Sequence, residues 1–431
     1  MARVLLRGGR LVDPAAGHDA GADVLIEDSL VEAVGGAIDA RRADVVDCDG
    51  LVLSPGLVDL HAHLRQPGRE EAETVASGAR AAAAGGYTAV CAMPNTEPVA
   101  DHLAVVLEVA ALADKAALCD VTPAAAITRA LAGEELVEMA ELAEAGVRLF
   151  TDDQNSVQSS RVMRLALEYA KAFDVVVAQH AQDAALSEGW QMHEGSYSAL
   201  LGLRGAPAEA ESVIVGRDVA LARLTGGRLH VTHVSSGESV RLLRDALARE
   251  IPVTADVTPH HLALTDADLV RYDSNLKMNP PLRSAEDRDA LRAALGDGVI
   301  AVATDHAPHT VEDKEVEFDQ ARPGVIGLET ALAVVLTELV GPGLLDLPSA
   351  IRRLSTAPAA ILRLSEHGGP VAPGRPANLV AFDPAAEWVV GERPFVSKAR
   401  NSAFLGRRLR GRVIHTLLRG EFTVRDGEPT R

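Results

Sequence analysis

Six residues of types that bind metal ions are spread along the chain, and they are four histidines and two aspartates: His61, His63, Asp153, His180, His233 and Asp305. Neutral imidazole nitrogens and carboxylate oxygens are ligands that zinc accepts. His61 and His63 are two positions apart, so in an extended strand both side chains project from the same face. A lone His-X-His pair is weak evidence, because short motifs often arise by chance. The fold that surrounds the six residues therefore decides whether they form one site.

A second group of residues is suited to an anionic substrate. Arg65 lies two positions after His63, and its planar guanidinium can pair with a carboxylate through two hydrogen bonds. Asn95 and Asn279 can donate hydrogen bonds to the same group, although each stands beside a proline, where asparagine also serves turns. We expect His309 to reach the substrate from a loop. Asp305 can both contact a metal and transfer a proton.

Four neighbouring polar residues have simpler explanations. Asp152 is as readily a helix N-cap as a functional group. We expect His306 to make a structural hydrogen bond, and His260 and His261 to be structural or to support the site from behind.

The middle of the chain alternates short strands with amphipathic helices. Such alternation indicates parallel strands joined by helical crossovers, and eight units close a barrel. No Gly-X-Gly-X-X-Gly follows the first strand, which disfavours the alternative, an open doubly wound sheet. The predicted strands are Gly56–Leu60, Tyr87–Ala92, Ala116–Val121, Val147–Phe150, Val175–Gln179, Leu229–His233, Pro252–Asp256 and Val299–Thr304, with helices such as Glu73–Ala84, Glu134–Ala145 and Arg161–Ala172.

The placement of the six metal-binding residues agrees with this architecture. Each falls at the C-terminal end of a predicted strand, which is the mouth where (β/α)₈ barrels carry their active sites. The agreement of residue type with position is the strongest argument for one metal site.

Both ends of the chain show strand patterns instead of helices. The fold class is therefore α/β, a (β/α)₈ TIM barrel with a small β-sandwich domain built from both termini. We assign residues 1–54 and 366–431 to the β domain, and 55–365 to the barrel that carries the metal-binding residues. The terminal strands are Val4–Leu6, Asp23–Ile26, Glu32–Val34, Asn378–Phe382 and Val413–Leu417.

Composition excludes several classes of protein. With 42 basic and 61 acidic residues in 431, the net charge is −19, which disfavours binding to nucleic acid or to anionic membranes. The three cysteines form no Cys-X-X-Cys motif, so neither a disulfide framework nor a thiolate metal site is expected. No stretch predicts a transmembrane helix. We expect a cytoplasmic enzyme with a core of Ala, Val and Leu.

Several motifs together carry a family resemblance. Residues 55–65, PGLVDLHAHLR, resemble the opening metal motif of the amidohydrolase superfamily in its dihydroorotase form. The resemblance extends over nearly the whole chain and is specific as a set, although single motifs are shared with hydantoinases. The supporting segments are 93–96, 256–261, 279–283, 303–309 and 324–330.

The resemblance implies a site with two zinc ions per subunit. His61, His63 and Asp305 would bind one ion, His180 and His233 the other, and Asp153 would bridge them. Many relatives bridge with a carboxylated lysine, and the absence of lysine from residues 150–153 favours the aspartate-bridged branch over hydantoinases. Gln154 departs from the glycine that relatives commonly carry there.

The activity implied is the reversible cyclisation of N-carbamoyl-L-aspartate to L-dihydroorotate in pyrimidine biosynthesis. A hydroxide between the metals would be the nucleophile, and Asp305 the general acid and base. Arg65, Asn95, Asn279 and His309 would bind the substrate. A hydantoinase or dihydropyrimidinase is the first alternative, and Arg65 argues against it. A non-catalytic scaffold for aspartate transcarbamoylase is the second. The resemblance also predicts a homo-oligomer, which could associate with aspartate transcarbamoylase.

Overall fold

Eight parallel strands form the centre of the computed structural model, which describes residues 3–39 and 41–431. Met1, Ala2 and Ala40, all within the predicted segment 1–54, lie outside the described residues. Each of the eight corresponds to a strand predicted from the sequence. They are Leu57–Ala62, Tyr87–Ala92, Asp120–Pro123, Leu149–Thr151, Val176–Gln179, Arg228–Val231, Val253–Val257 and Ala301–Val302.

The eight strands close into a ring. The first three pair with one another in chain order, and so do the last five. A parallel bridge between Ala125 and Phe150 joins the third strand to the fourth. A second bridge, between Ala62 and His306, joins the eighth to the first, and the His63 N–H donates to the His306 carbonyl at 2.8 Å. The predicted (β/α)₈ barrel is confirmed.

Long and short helices alternate with the strands and surround the ring. The long helices are Val75–Ala84, Leu103–Ala116, Ser160–Lys171, Glu209–Thr225, Gly237–Ala248 and Ala285–Asp297. The short ones are Met139–Glu144, Ser196–Leu201, Pro259–Ala263, Val311–Lys314, Ala331–Val335, Leu347–Ile351 and Ala357–Leu362. The π-helical turn Leu336–Val340 continues the helix Ala331–Val335. The π-helical turn Arg352–Thr356 joins Leu347–Ile351 to Ala357–Leu362.

Two predicted boundaries in the barrel are wrong by four residues or more. The third strand starts at Asp120 and not at Ala116, because the preceding helix continues to Ala116 and ends where Ala117 is left-handed, with φ 49°. The helix predicted at Glu134–Ala145 spans only Met139–Glu144. The residues before Met139 are not helical and bond to another part of the chain, where the Val137 N–H donates to the Ile127 carbonyl at 3.1 Å.

Strands from both ends of the chain form one nine-stranded sheet. The halves join where Val52–Pro55 pairs antiparallel with the start of Leu379–Val389. Val24, Leu53 and Leu417 share one apolar core there, so neither terminus could form this core alone. The other strands are Arg3–Asp13, His18–Glu27, Leu30–Gly35, Asp44–Asp47, Arg408–Leu418, Glu421–Arg425 and Glu428–Pro429.

The segment 390–407, between two strands of this sheet, packs on the barrel side. Val390 and Phe404 are buried in a cluster with Met278 and Phe318 from the loops at the barrel mouth. The domain boundaries at 54 and 365 stay a prediction. Within the described residues, the helices are all too short or too polar to cross a bilayer.

Candidate metal and substrate site

Four of the predicted ligands meet at the mouth of the barrel. His61 Nε2 lies 3.0 Å from Asp153 Oδ1 and 3.5 Å from Asp305 Oδ1. His63 Nε2 lies 3.3 Å from the same oxygen of Asp305. One ligand atom each from His61, His63 and Asp305 lies within 4.8 Å of the other two, and these residues could hold a metal ion.

The remaining two predicted ligands lie beside this group. His180 Nδ1 and His233 Nε2 are 3.0 Å apart, and the ring centroids of His61 and His233 are 5.3 Å apart. Each of the six side chains belongs to a buried residue. The structure therefore brings together all six residues that the sequence predicts as metal ligands.

Three of these residues have a left-handed backbone. Asp153, His233 and Asp305 have φ values of 48°, 37° and 46°. A non-glycine residue in this region costs about 1–3 kcal/mol, and such residues persist only where their surroundings hold them. All three lie two or three positions beyond the end of a barrel strand, where the turn directs the side chain into the mouth.

The charges in the site are strongly coupled. Burial acts to raise the pKa of both Asp153 and Asp305, but the neighbouring histidines outweigh it and hold both pKa values well below the ordinary range. Burial acts to lower the pKa of His61, but Asp153 and Asp305 raise it to about 9. Two ionised carboxylates buried in one place require a compensating positive charge.

The donor set fits a divalent metal. His61 Nδ1 and His233 Nδ1 are buried without a hydrogen-bond partner in the part of the chain that the structure describes. Burial lowers the pKa of both His180 and His233, which favours the neutral imidazoles that bind metals. Their facing nitrogens, His180 Nδ1 and His233 Nε2, lie 3.0 Å apart, close enough for both to bind one ion.

Asn95 contacts ligands of both kinds. Its Oδ1 lies 2.9 Å from His63 Nδ1, and its Nδ2 donates to Asp153 Oδ2 at 2.6 Å. Such outer contacts orient metal ligands in proteins. That Asn95 also binds substrate stays a prediction.

Arg65 contacts the loop that carries His309. Arg65 Nε donates to the Pro308 carbonyl at 3.1 Å, while Nη2 is buried and has no partner among the described residues. Burial and the charge of Arg65 lower the pKa of His309 to about 3, so His309 is neutral. An unpaired guanidinium nitrogen beside a neutral imidazole suits an anionic group.

The other two residues singled out by the sequence lie nearer the rim. Asn279 is partly exposed and lines a small cavity with Gln182 and Arg283. Gln154 is exposed and borders a cavity of about 410 Å³ together with Gln158 and Gln182. A role for Asn279 in binding substrate stays a prediction.

The simpler explanations had mixed outcomes. Asp152 is not a helix N-cap, since its carboxylate accepts hydrogen bonds from the Ile127 and Thr128 amides at 2.9 Å, and Ser159 caps the following helix. His306 makes the structural hydrogen bond that was predicted, accepting from the Gly327 amide at 3.2 Å.

His261 is also structural, because Nδ1 lies 2.8 Å from Thr258 Oγ1 and Nε2 lies 3.1 Å from the Pro280 carbonyl. The neighbouring His260 is buried, and its Nε2 has no partner among the described residues.

Sequence reasoning missed three residues that support the site. Gln182 Oε1 lies 2.7 Å from His180 Nε2, so Nδ1, which faces His233, is the nitrogen that could bind a metal. Asp256 accepts a hydrogen bond from the His233 backbone. Asn401 contacts the loop that carries His309. Only Asp256 had a visible signal, because it opens one of the family motifs.

Comparison with known proteins gives two kinds of relative. A family model described as dihydro-orotase-like matches residues 50–239. A dihydroorotase from Streptomyces coelicolor is 50% identical over 435 residues, covering 100% of both chains. A dihydroorotase from Leifsonia xyli is 51% identical over 410 residues, covering 94% of this chain and 93% of its own.

Solved structures add a neighbour with another activity. L-hydantoinase (dihydropyrimidinase) from Arthrobacter aurescens has a TM-score of 0.90 and 26% identity, covering 100% of this chain and 98% of its own. The architecture is thus shared with enzymes that the sequence resembles about half as closely as it does the dihydroorotases.

Proposed function

The chain belongs to the dihydroorotase family, and from this premise we propose how its residues perform the reaction of that family. It is a hydrolase of the cyclic amide C–N bond, interconverting L-dihydroorotate and N-carbamoyl-L-aspartate in pyrimidine biosynthesis. The observation that carries the function is the full-length identity of about one half to dihydroorotases.

We propose that the site holds two zinc ions. His61, His63 and Asp305 would hold one, His180 and His233 the other, and Asp153 would contact both. The unpartnered buried nitrogens and the two ionised carboxylates support this assignment. When bound, divalent ions at such a site lower the pKa of water and polarise a carbonyl oxygen.

Asp305 is the proposed general base and acid. Its carboxylate is ionised, so it can accept the proton of the attacking hydroxide as the new C–O bond forms at the ring carbonyl. The same proton then passes to the ring nitrogen as the C–N bond breaks, which yields the ureido group and a carboxylate. The cyclisation uses these steps in reverse.

Arg65, His309, Asn95 and Asn279 are the proposed substrate-binding residues. The ring carboxylate of dihydroorotate would pair with the free Nη2 of Arg65, beside His309. Holding this carboxylate fixes the reacting carbonyl in place, and such positioning accounts for a large part of catalysis. Hydantoin and dihydrouracil carry no ring carboxylate, so Arg65 separates the two substrate classes.

One experiment tests function and site together. The protein is stripped with a chelator and reloaded with zinc, and ring opening of dihydroorotate, hydantoin and dihydrouracil is then followed in parallel. We expect turnover of dihydroorotate alone, none without metal, and about a 10³-fold lower kcat for Asp305→Asn. Preferential turnover of the uncharged rings would assign the chain to the hydantoinases. No turnover by the zinc-loaded protein would favour the scaffold.

Assembly is a further proposal, resting on the family resemblance alone. We propose that the chain forms a homo-oligomer and can associate with aspartate transcarbamoylase. Light scattering gives the mass of the purified protein alone, which tests the homo-oligomer. The mass after mixing with aspartate transcarbamoylase tests the association. An unchanged monomer mass in both samples would contradict the proposal.

A further inference from the structure

His233 is held by a carboxylate on the neighbouring strand. Its backbone N–H donates to Asp256 Oδ1 at 2.7 Å. Asp256 lies in the seventh barrel strand, Val253–Val257, and its side chain is 0% exposed. Because His233 has a left-handed backbone, this charge-assisted hydrogen bond stabilises a conformation that would otherwise be unfavourable.

The other oxygen of Asp256 is held by a second histidine. His230 Nε2 lies 2.8 Å from Asp256 Oδ2, and the His230 side chain is also 0% exposed. His230 Nδ1 lies 2.8 Å from Thr254 Oγ1. Both ring nitrogens of His230 are therefore engaged within the barrel wall, and neither is directed at the metal ligands.

A comparison within the same barrel shows what His230 adds. Asp59, on the first strand, accepts the Thr304 N–H at 2.8 Å and the Thr304 hydroxyl at 2.5 Å, just before the ligand Asp305. Both oxygens of Asp59 thus bind the strand that they hold. Asp256 has only one oxygen on the His233 backbone, so its orientation depends on what binds the other, which is His230.

We propose that His230 is a positioning residue for the metal site. It fixes Asp256, Asp256 fixes the left-handed backbone of His233, and His233 Nε2 is thereby kept 3.0 Å from His180 Nδ1. Without His230, Asp256 can rotate, His233 relaxes toward an ordinary backbone conformation, and the two imidazoles separate. The inference rests on the proposed function, in which His180 and His233 hold one metal ion.

Three variants test the role of His230. His230→Leu removes the contact with Asp256, and His230→Gln keeps an N–H donor in nearly the same place. His415→Leu removes a buried histidine of the β domain, 2% exposed, and is the matched control. Metal per chain is measured after dialysis against a chelator series, and the visible spectrum is recorded on the cobalt-loaded proteins.

We expect wild type, His230→Gln and His415→Leu to keep two ions per chain. His230→Leu should bind its second ion about 10–100-fold more weakly, the usual effect of losing an outer contact at a metal site, with an altered cobalt spectrum. Folded His230→Leu protein with two ions of wild-type affinity and an unchanged spectrum would overturn the inference.

A further variant covers the case in which His230→Leu does not fold. Thr254→Val preserves volume and removes the partner of His230 Nδ1, together with a long 3.5 Å hydrogen bond to the Leu229 carbonyl, and we expect a smaller but measurable loss of affinity for the second ion. Wild-type affinity in Thr254→Val would then overturn the inference. Wild-type protein that binds fewer than two ions would overturn the two-metal site itself, which separates the two failures.

Discussion

At the scale of single residues, substrate choice depends on Arg65. The side chain is almost fully buried, only Nε has a hydrogen-bond partner among the described residues, and burial together with Arg69 lowers its pKa to about 10. It therefore keeps its charge at neutral pH. A buried cation without a carboxylate partner is costly, and a bound anion would offset that cost.

Replacing Arg65 tests this role. We expect Arg65→Met to raise KM for dihydroorotate about 100-fold, because a charge-assisted pair contributes roughly 1.5–3 kcal/mol. The KM of Arg65→Lys should lie between those of wild type and Arg65→Met, since an ammonium keeps the charge but cannot form the bidentate pair. Steady-state kinetics on dihydroorotate give the measurement, with the exposed Arg161→Met as control. Unchanged KM in Arg65→Met would remove the basis for excluding uncharged rings.

The chemistry of single residues could be predicted, but their partners could not. The types and strand-end positions of His180 and Asp305 were enough to predict that they meet. Gln182 orients His180, and Asp152 binds the amides of Ile127 and Thr128. Both contacts depend on the register between neighbouring strands and loops, which decides which side chains lie opposite one another. No local sequence pattern predicts that register.

At the scale of elements, the strands were predictable and some helix bounds were not. The composition of short runs with β-branched and aromatic residues, such as Tyr87–Ala92, predicts a strand. The stretch 134–138 is rich in helix-forming residues, yet the Val137 N–H binds the Ile127 carbonyl, because tertiary pairing outweighs a weak propensity. Tertiary contacts therefore affect where a helix or strand begins and ends more than they affect which of the two forms.

Glu329, just before the helix Ala331–Val335, links two elements through a partly buried carboxylate. It accepts hydrogen bonds from the Val396 and Ser397 amides at 2.9–3.1 Å. Burial, with a smaller effect of the Glu73 charge, raises its pKa from the ordinary 4.5 to about 7. A raised folded-state pKa means that this group adds stability below pH 4.5, and that the contribution is lost as the pH rises through 7.

Glu329→Gln should remove this pH dependence. The unfolding free energy of wild type relative to Glu329→Gln should fall by about 3 kcal/mol between pH 4.5 and pH 8. Urea denaturation at intervals across this range measures the difference, and Glu392→Gln, at an exposed position, is the control. A difference between wild type and Glu329→Gln that stays constant with pH would show that Glu329 ionises normally.

At the scale of the whole molecule, the C-terminal part does more than complete the β sheet. The sequence assigned all of 366–431 to the β domain, since strand patterns stand at both ends of that stretch. In the structure the segment 390–407 leaves the sheet and lies against the barrel mouth. This packing was not predictable, because the segment has no periodic pattern and its apolar residues match a surface built by distant loops.

Asn401 is the residue through which this segment reaches the site. It is buried, its Oδ1 accepts the His309 N–H at 3.2 Å, and its Nδ2 donates to the carbonyls of Ala307 and Gly324 at 3.0 and 3.1 Å. These three bonds join both ends of the loop 306–325, which also carries Lys314, whose Nζ donates to the Gly324 carbonyl. The loop that presents His309 is therefore held from the C-terminal part of the chain.

Asn401→Ala should loosen that loop without unfolding the protein. Loss of three hydrogen bonds, at roughly 1 kcal/mol each, should speed amide hydrogen exchange in peptides from 306–325 at least about 10-fold. KM for dihydroorotate should rise about as much while metal content stays unchanged, because His309 moves and the ligands do not. Asn275→Ala is the control, because the Asn275 side chain makes no hydrogen bond within the described residues. Exchange and KM at wild-type values would mean that the barrel alone orders this loop, and that the β domain and the site are energetically separate.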